Sequence, residues 1–175
     1  MSELALKLIA ENKKTQAPFL DLGNCGLTEM PDISSLYWLD TLIVSNQLWD
    51  RKEKRWQSSQ NNGESNNILA VKTGYIPSSV KTMVLAGDYN LNWKIKDWTF
   101  ITHLINLESL EISFNEIDKI TFLNNLINLK SLDLRVNQIS DSSFLSNLTG
   151  LQSLYLGSNK ISDYSFLENL TGLQS

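Results

Sequence analysis

One thiol, Cys25, and one imidazole, His103, are the groups in this 175-residue chain best suited to covalent chemistry. A cysteine nucleophile needs a base within hydrogen-bond reach, and nothing in the sequence brings these two together. G-x-S-x-G, H-E-x-x-H, zinc-ligand spacing and the phosphate loop G-x-x-x-x-G-K-[ST] are all missing. No catalytic residue, cofactor or metal is therefore expected. A different chemistry is offered by Arg51, Lys52, Lys54 and Arg55, bracketed by Trp49 and Trp56. Basic side chains and indoles together can hold phosphates and stack on bases. Asp50 and Glu53 interleave with them, however, and the whole chain carries a net charge of −4. A solvated loop is the better reading, with no nucleic acid expected. What remains is recognition chemistry: Glu111, Asp133, Arg135 and Tyr155 supply charge, a guanidinium fork and an aromatic ring.

The elements that position these groups show themselves as a repeat. Leu107, Leu129, Leu151 and Leu173 stand 22 residues apart, followed in register by Leu110, Leu132 and Leu154. Ile112, Leu134 and Leu156 come next, then Asn115, Asn137 and Asn159, then Ile117, Ile139 and Ile161. A fixed period of this length is the signature of a solenoid, whose product is a long regular surface and not a built-in pocket. The frame can be followed back to Leu39 and to Ala17, with Cys25 in the asparagine position. Val80 starts a further unit, so the irregular units carry insertions of about 19 and 5 residues over the period. The larger insertion covers about 48–67, and its apolar-free part, 57–67, reads as a flexible surface loop.

The pattern L-x-x-L-x-L-x-x-N-x-I resembles a leucine-rich repeat of the short 22-residue class found in internalin-type proteins. This resemblance implies an α/β fold, a curved solenoid with a parallel β-sheet on its concave face. Short or 3-10 helical segments would form the convex side. It further implies that Cys25, Asn115, Asn137 and Asn159 form a structural ladder satisfying the backbone of the turns. Residues 1–16 read as a capping helix, with Leu4, Ala5, Leu8 and Ile9 on one face, and 17–175 as the repeats. His103 falls in the slot of Asn125 and Asn147, a surface position on the return side.

Strand alternation points Leu110 and Ile112 inward and Ser109, Glu111 and Ser113 outward. The predicted protein-binding residues on the concave face are Glu111, Ser113, Phe114, Asp133, Arg135 and Tyr155, with a protein partner of unknown identity. Ala5 to Lys14 followed by Leu20 to Pro31 resembles the opening of the leucine-rich repeats of bacterial Roco proteins. That resemblance implies a regulatory arm preceding a Ras-like GTPase. The alternative is a secreted adhesin of internalin type. A single cysteine and an N-terminus without a signal-like apolar core predict a cytoplasmic protein, with no membrane contact. The sequence stops in mid-repeat, which predicts a piece of a longer protein. Leu170 and Leu173 would then be exposed and favour self-association.

Overall fold

A computed structural model describes residues 2–50, 53, 55–87 and 95–174, apart from the side chains of Trp49 and Trp56. Helix α1 (Glu3–Thr15) begins where the Ser2 hydroxyl accepts the Ala5 N–H at 3.1 Å, with Glu3 in its first turn and Lys13 and Lys14 in its last. Acid at the positive end and base at the negative end complement the helix dipole. Ala5 and Ile9 are buried, and Leu4 and Leu8 pack partly buried against the same core.

Short strands then recur in chain order. They are β1 (Phe19–Asp21), β2 (Thr41–Ile43), β3 (Gln47–Asp50), β4 (Arg55–Ser58), β5 (Thr82–Val84), β6 (Ser109–Glu111), β7 (Ser131–Asp133) and β8 (Ser153–Tyr155). Six of them form one parallel sheet in the order β1-β2-β5-β6-β7-β8. The register pairs Ser109 with Ser131 and Ser131 with Ser153, as a strict repeat demands. Leu20, Leu42, Met83, Leu110 and Leu132 project from the strand centres into one continuous apolar strip. Burying each of these large side chains contributes roughly 1.5–3 kcal/mol, and only neighbours sharing the strip make a unit stable. The return segments carry 3-10 turns at Thr99–His103, Thr121–Leu123, Ser143–Asn147 and Ser165–Asn169. This is the curved solenoid that the period predicts.

Two expectations fail. The 48–67 insertion is not a loose loop: β3 and β4 form an antiparallel hairpin, and Ser59 and Asn66 beyond it are buried. Part of its polar composition, at Ser59, Asn61 and Asn66, serves hydrogen bonds to the solenoid. The Trp49–Trp56 cluster forms part of this hairpin, with Arg51, Lys52 and Lys54 outside the described residues. Leu170 is likewise not exposed, since it is 2% accessible and its turn folds back on the preceding unit. The Leu170 N–H donates to Leu167 O at 3.1 Å and the Gln174 N–H to Gln152 O at 2.8 Å. The half-buried groups at this end are instead Leu154, Leu156, Ile161 and Leu173.

Several return segments start with an aspartate that accepts a backbone N–H two residues on. Asp32, Asp97, Asp141 and Asp163 take the N–H of Ser34, Thr99, Ser143 and Ser165 at 2.8–3.0 Å. Hydrogen bonds from those same residues hold all four carboxyls below the usual aspartate range. A depressed folded-state pKa contributes stability that is present above the unfolded value, near 3.9, and is lost as pH falls through the folded one. Thermal unfolding should therefore hold steady above about pH 5 and move to lower temperature below about pH 4. Replacing the four aspartates by asparagine keeps an acceptor at each turn, and calorimetry should find this acid sensitivity reduced.

Candidate protein-binding face

The face is built from the turn that follows each strand. There the chain must reverse while its amides and carbonyls are buried, so each polar group needs a partner. Asn137 supplies them for two units at once. Its Oδ1 accepts the N–H groups of Asn115 at 3.1 Å and Ile117 at 2.9 Å. Its Nδ2 donates to Ile112 O at 3.1 Å and Leu134 O at 2.9 Å. Asn159 repeats the pattern with Ile139 N–H, Leu134 O and Leu156 O. Asn115 donates to Leu85 O, Ile112 O and Ser113 O. Its buried Oδ1 has no partner among the described residues, and part of the preceding turn, 88–94, lies outside them.

Cys25 takes the same position but a passive part. Its N–H is held by Asn66 Oδ1 at 3.1 Å, and its own thiol donates to Gly23 O at 3.4 Å. Burial first, and the charge of Asp21 second, push this thiol up to about 11. It stays protonated at neutral pH and is a packing group. His103 meets Ile76 O through Nε2 at 3.1 Å, far from the thiol in the chain and bound to a different unit.

Two residues that the repeat frame does not flag carry the ends of this network. Asn66 comes from the insertion, yet its Oδ1 accepts Cys25 N–H and Leu27 N–H, and its Nδ2 donates to Leu22 O and Val44 O. It is the ladder asparagine of the second unit, delivered late by the hairpin. Asn12 of α1 is 5% accessible. Its Nδ2 donates to Ala17 O and Phe19 O, and its Oδ1 accepts the Trp38 indole N–H. A helix residue thus ties off the carbonyls beside β1. A buried-face polar residue at helix spacing from Ala5 and Ile9 is the signal that would have found it.

The predicted contact residues divide into two groups. Phe114, Arg135 and Tyr155 are half-buried, whereas Glu111, Ser113 and Asp133 are buried. The expectation that all six lie exposed is corrected: Glu111, Ser113 and Asp133 are buried, and the longer Arg135 covers Asp133. Asp133, only 1% accessible in its side chain, lies under the Arg135 guanidinium. Arg135 Nε donates to both carboxylate oxygens at 3.0 Å, and Nη2 to Oδ2 at 2.6 Å. This bond and the charge of Asp133 raise the Arg135 pKa further, against the cost of its partial burial. The guanidinium carbon then sits 5.5 Å from the Tyr155 ring centre, within cation–π range.

Beside this clamp the backbone is strained. Asn24, Phe114, Val136 and Ser158 occupy one slot of four units, each at a positive φ between 48° and 60°. Asparagine tolerates this left-handed region, but a β-branched valine does so only at a cost of about 1–2 kcal/mol. Val136→Asn should therefore raise stability by about 1 kcal/mol in urea unfolding. No gain would mean that packing of the valine side chain offsets the strain.

Comparison with known proteins agrees with this geometry. The model of leucine-rich repeats in two copies matches residues 127–169. Comparison with curated protein sequences gave no match. Internalin C2 of Listeria monocytogenes is similar over 98% of this chain and 91% of its own, at 25% identity and a TM-score of 0.52. A leucine-rich-repeat protein of Leptospira interrogans is 22% identical over 94% of this chain and 50% of its own, at a TM-score of 0.52. The ectodomain of the Arabidopsis thaliana receptor kinase GASSHO1/SCHENGEN3, solved in complex with Casparian strip integrity factor 2, gives a TM-score of 0.57. It is 22% identical over 87% of this chain, which spans only 17% of its length. Repeat frame, parallel sheet, asparagine ladder and neighbours together make the chain a leucine-rich-repeat solenoid.

Proposed function

We propose that this chain is a non-catalytic protein-interaction module whose concave face binds a protein partner across β6 to β8. One observation carries the reading. Phe114 and Val136, both apolar, are held half-buried in a strained turn slot where asparagine is at ease, directly beside the Arg135–Tyr155 clamp. Local strain of this kind persists where something other than stability is served. Aromatic and arginine side chains that are already fixed lose little freedom on binding, which is the character of an interface hot spot.

The test uses a photo-crosslinking amino acid placed at Ser131 or Ser153 on the concave face, and at exposed Asn125 or Asn147 on the return side. In extract of the source organism, the concave positions should capture one defined protein that the return positions do not. Val136→Asn should weaken that capture while stabilising the fold. Equal capture from both sides, or capture indifferent to Val136→Asn, would remove the assignment.

Two settings for such a module follow from resemblance. Residues 5–31, Roco-like in their opening, support a cytoplasmic regulatory arm of a larger GTPase. The likeness to internalin C2, extending over nearly the whole chain, supports the alternative of an adhesin facing a host protein. Sequencing the source gene past the Ser175 codon separates them: G-x-x-x-x-G-K-[ST] favours the first and a wall anchor the second.

A further inference from the structure

A second recess lies at the other end of the sheet, away from β6 to β8. It is a groove of about 550 Å³ between α1, the outward residues of β1 and β2, and the arm formed by the β3–β4 hairpin and Ser59–Asn61. Leu8, Phe19, Ile43 and Leu48 give it apolar walls, and Phe19 is 51% accessible despite its aromatic ring. Among the described residues its charged lining is Glu11 and Asp21, with no lysine, arginine or histidine. Neither carboxylate has an ion-pair partner among the described residues. Asp21 is held in place by the Gly23 N–H at 2.8 Å and the Ser59 hydroxyl at 2.9 Å, so its charge is fixed toward the recess and not neutralised. Ion pairs form elsewhere, as in Lys81–Asp40 and Lys130–Glu108.

The same neighbourhood excludes one mode of binding. A peptide adding to the sheet edge at β1 would need the carbonyls of Ala17 and Phe19, and Asn12 already holds both. Recognition there must come from side chains. We propose that this groove docks a segment of a partner protein in which an apolar side chain is flanked by lysine or arginine. The apolar group rests on Phe19 and Ile43, and the cations face Glu11 and Asp21. This second site stands independently of the β6–β8 face.

Nine-residue synthetic peptides centred on Arg-Leu-Arg, Ser-Leu-Ser or Glu-Leu-Glu are suitable probes, titrated into the isotope-labelled whole chain and followed by amide NMR. The Arg-Leu-Arg peptide should shift the amides of Phe19, Asp21 and Ile43, and bind about tenfold more tightly than Ser-Leu-Ser, with Glu-Leu-Glu weakest. The double variant Glu11→Gln with Asp21→Asn, which keeps an acceptor for Gly23 and Ser59, should erase that preference. Phe19→Ser, an exposed change, should weaken the Arg-Leu-Arg and Ser-Leu-Ser peptides alike. The proposal is overturned if the Arg-Leu-Arg peptide leaves these amides unmoved or if its shifts fall on β6 to β8. It is equally overturned if Glu-Leu-Glu binds as well, or if the preference survives in the double variant. Because amide spectra also report folding, a variant that unfolds is recognised, and the charge preference of the unmodified chain still decides.

Discussion

Asn66→Ala should lower the unfolding free energy by about 3–4 kcal/mol, whereas Gln47→Ala should change it by under about 0.5 kcal/mol. The 22-residue period puts Gln47 three residues past Val44, in the slot that Asn137 fills three residues past Leu134. The structure puts Gln47 at the exposed start of β3 and brings Asn66 into the slot instead. Removing the Asn66 amide strands the N–H groups of Cys25 and Leu27 and the carbonyls of Leu22 and Val44 at a position of 0% accessibility. Each buried group left unpaired costs about 1–3 kcal/mol, reduced where water enters the gap. Asn137→Ala breaks the same kind of node in a regular unit and serves as the reference. Urea unfolding of the three variants decides the matter. Equal losses at positions 47 and 66 would mean that the hairpin does not deliver the ladder residue.

That contrast shows where sequence reasoning reached and where it stopped. The regular units were legible because each position repeats: an inward Leu132, a turn Asn137 and a return Leu145 are each seen again in a neighbouring unit. Period placed β6, β7 and β8 and linked β1 to β2, while β5 was placed by its motif between two insertions. Helix α1 was legible from Ala5 and Ile9 on one face. Asn66 was not, because an insertion breaks the period and its pairing depends on where the hairpin returns the chain. The burial of Glu111, Ser113 and Asp133 was hidden for a related reason. Strand alternation says which side a residue faces, but not how much its neighbours on adjacent strands cover it. The groove between α1 and the hairpin is made by elements distant in sequence, and no local pattern announces it.

The hairpin also explains the glycine at position 23. A side-chain carbon there would collide with Ser45 O and with Ser59, which closes over that end of the face. The insertion is thus packed into the solenoid at several points, among them Gly23–Ser59, Asn61 on Asp21 O and Gly23 O, and Asn66. Asn66 supplies the ladder function that the period assigns to position 47, and Asn61 donates to Gly23 O beside Cys25, whose thiol cannot donate two strong hydrogen bonds as an amide can.

Arg135→Ala should cost about 3–5 kcal/mol, the cost of leaving a buried carboxylate without its cation. Asp133 lies almost fully out of water, and β-sheet register sets it beside Glu111, a second buried acid, on the neighbouring strand. With the guanidinium gone, the Asp133 carboxylate keeps, among the described residues, only the backbone N–H of residue 135, donated at 3.0 Å. Arg135→Lys retains a charge but loses the two-pronged contact, so it should fall between the variant and the parent. The double variant Asp133→Asn with Arg135→Ala is the informative one. Asparagine can still accept that backbone N–H, and of the two buried acids only Glu111 then loses its nearby cation, so part of the stability should return. Chemical denaturation of the parent, Asp133→Asn, Arg135→Ala and the double variant gives the coupling directly. If the double variant is no better than Arg135→Ala alone, the arginine acts through its stem and its contact with Tyr155, not by neutralising Asp133. If it recovers, the face keeps its fold while losing its one clamped cation. Partner capture by that protein then separates what Arg135 does for the solenoid from what it presents to a ligand.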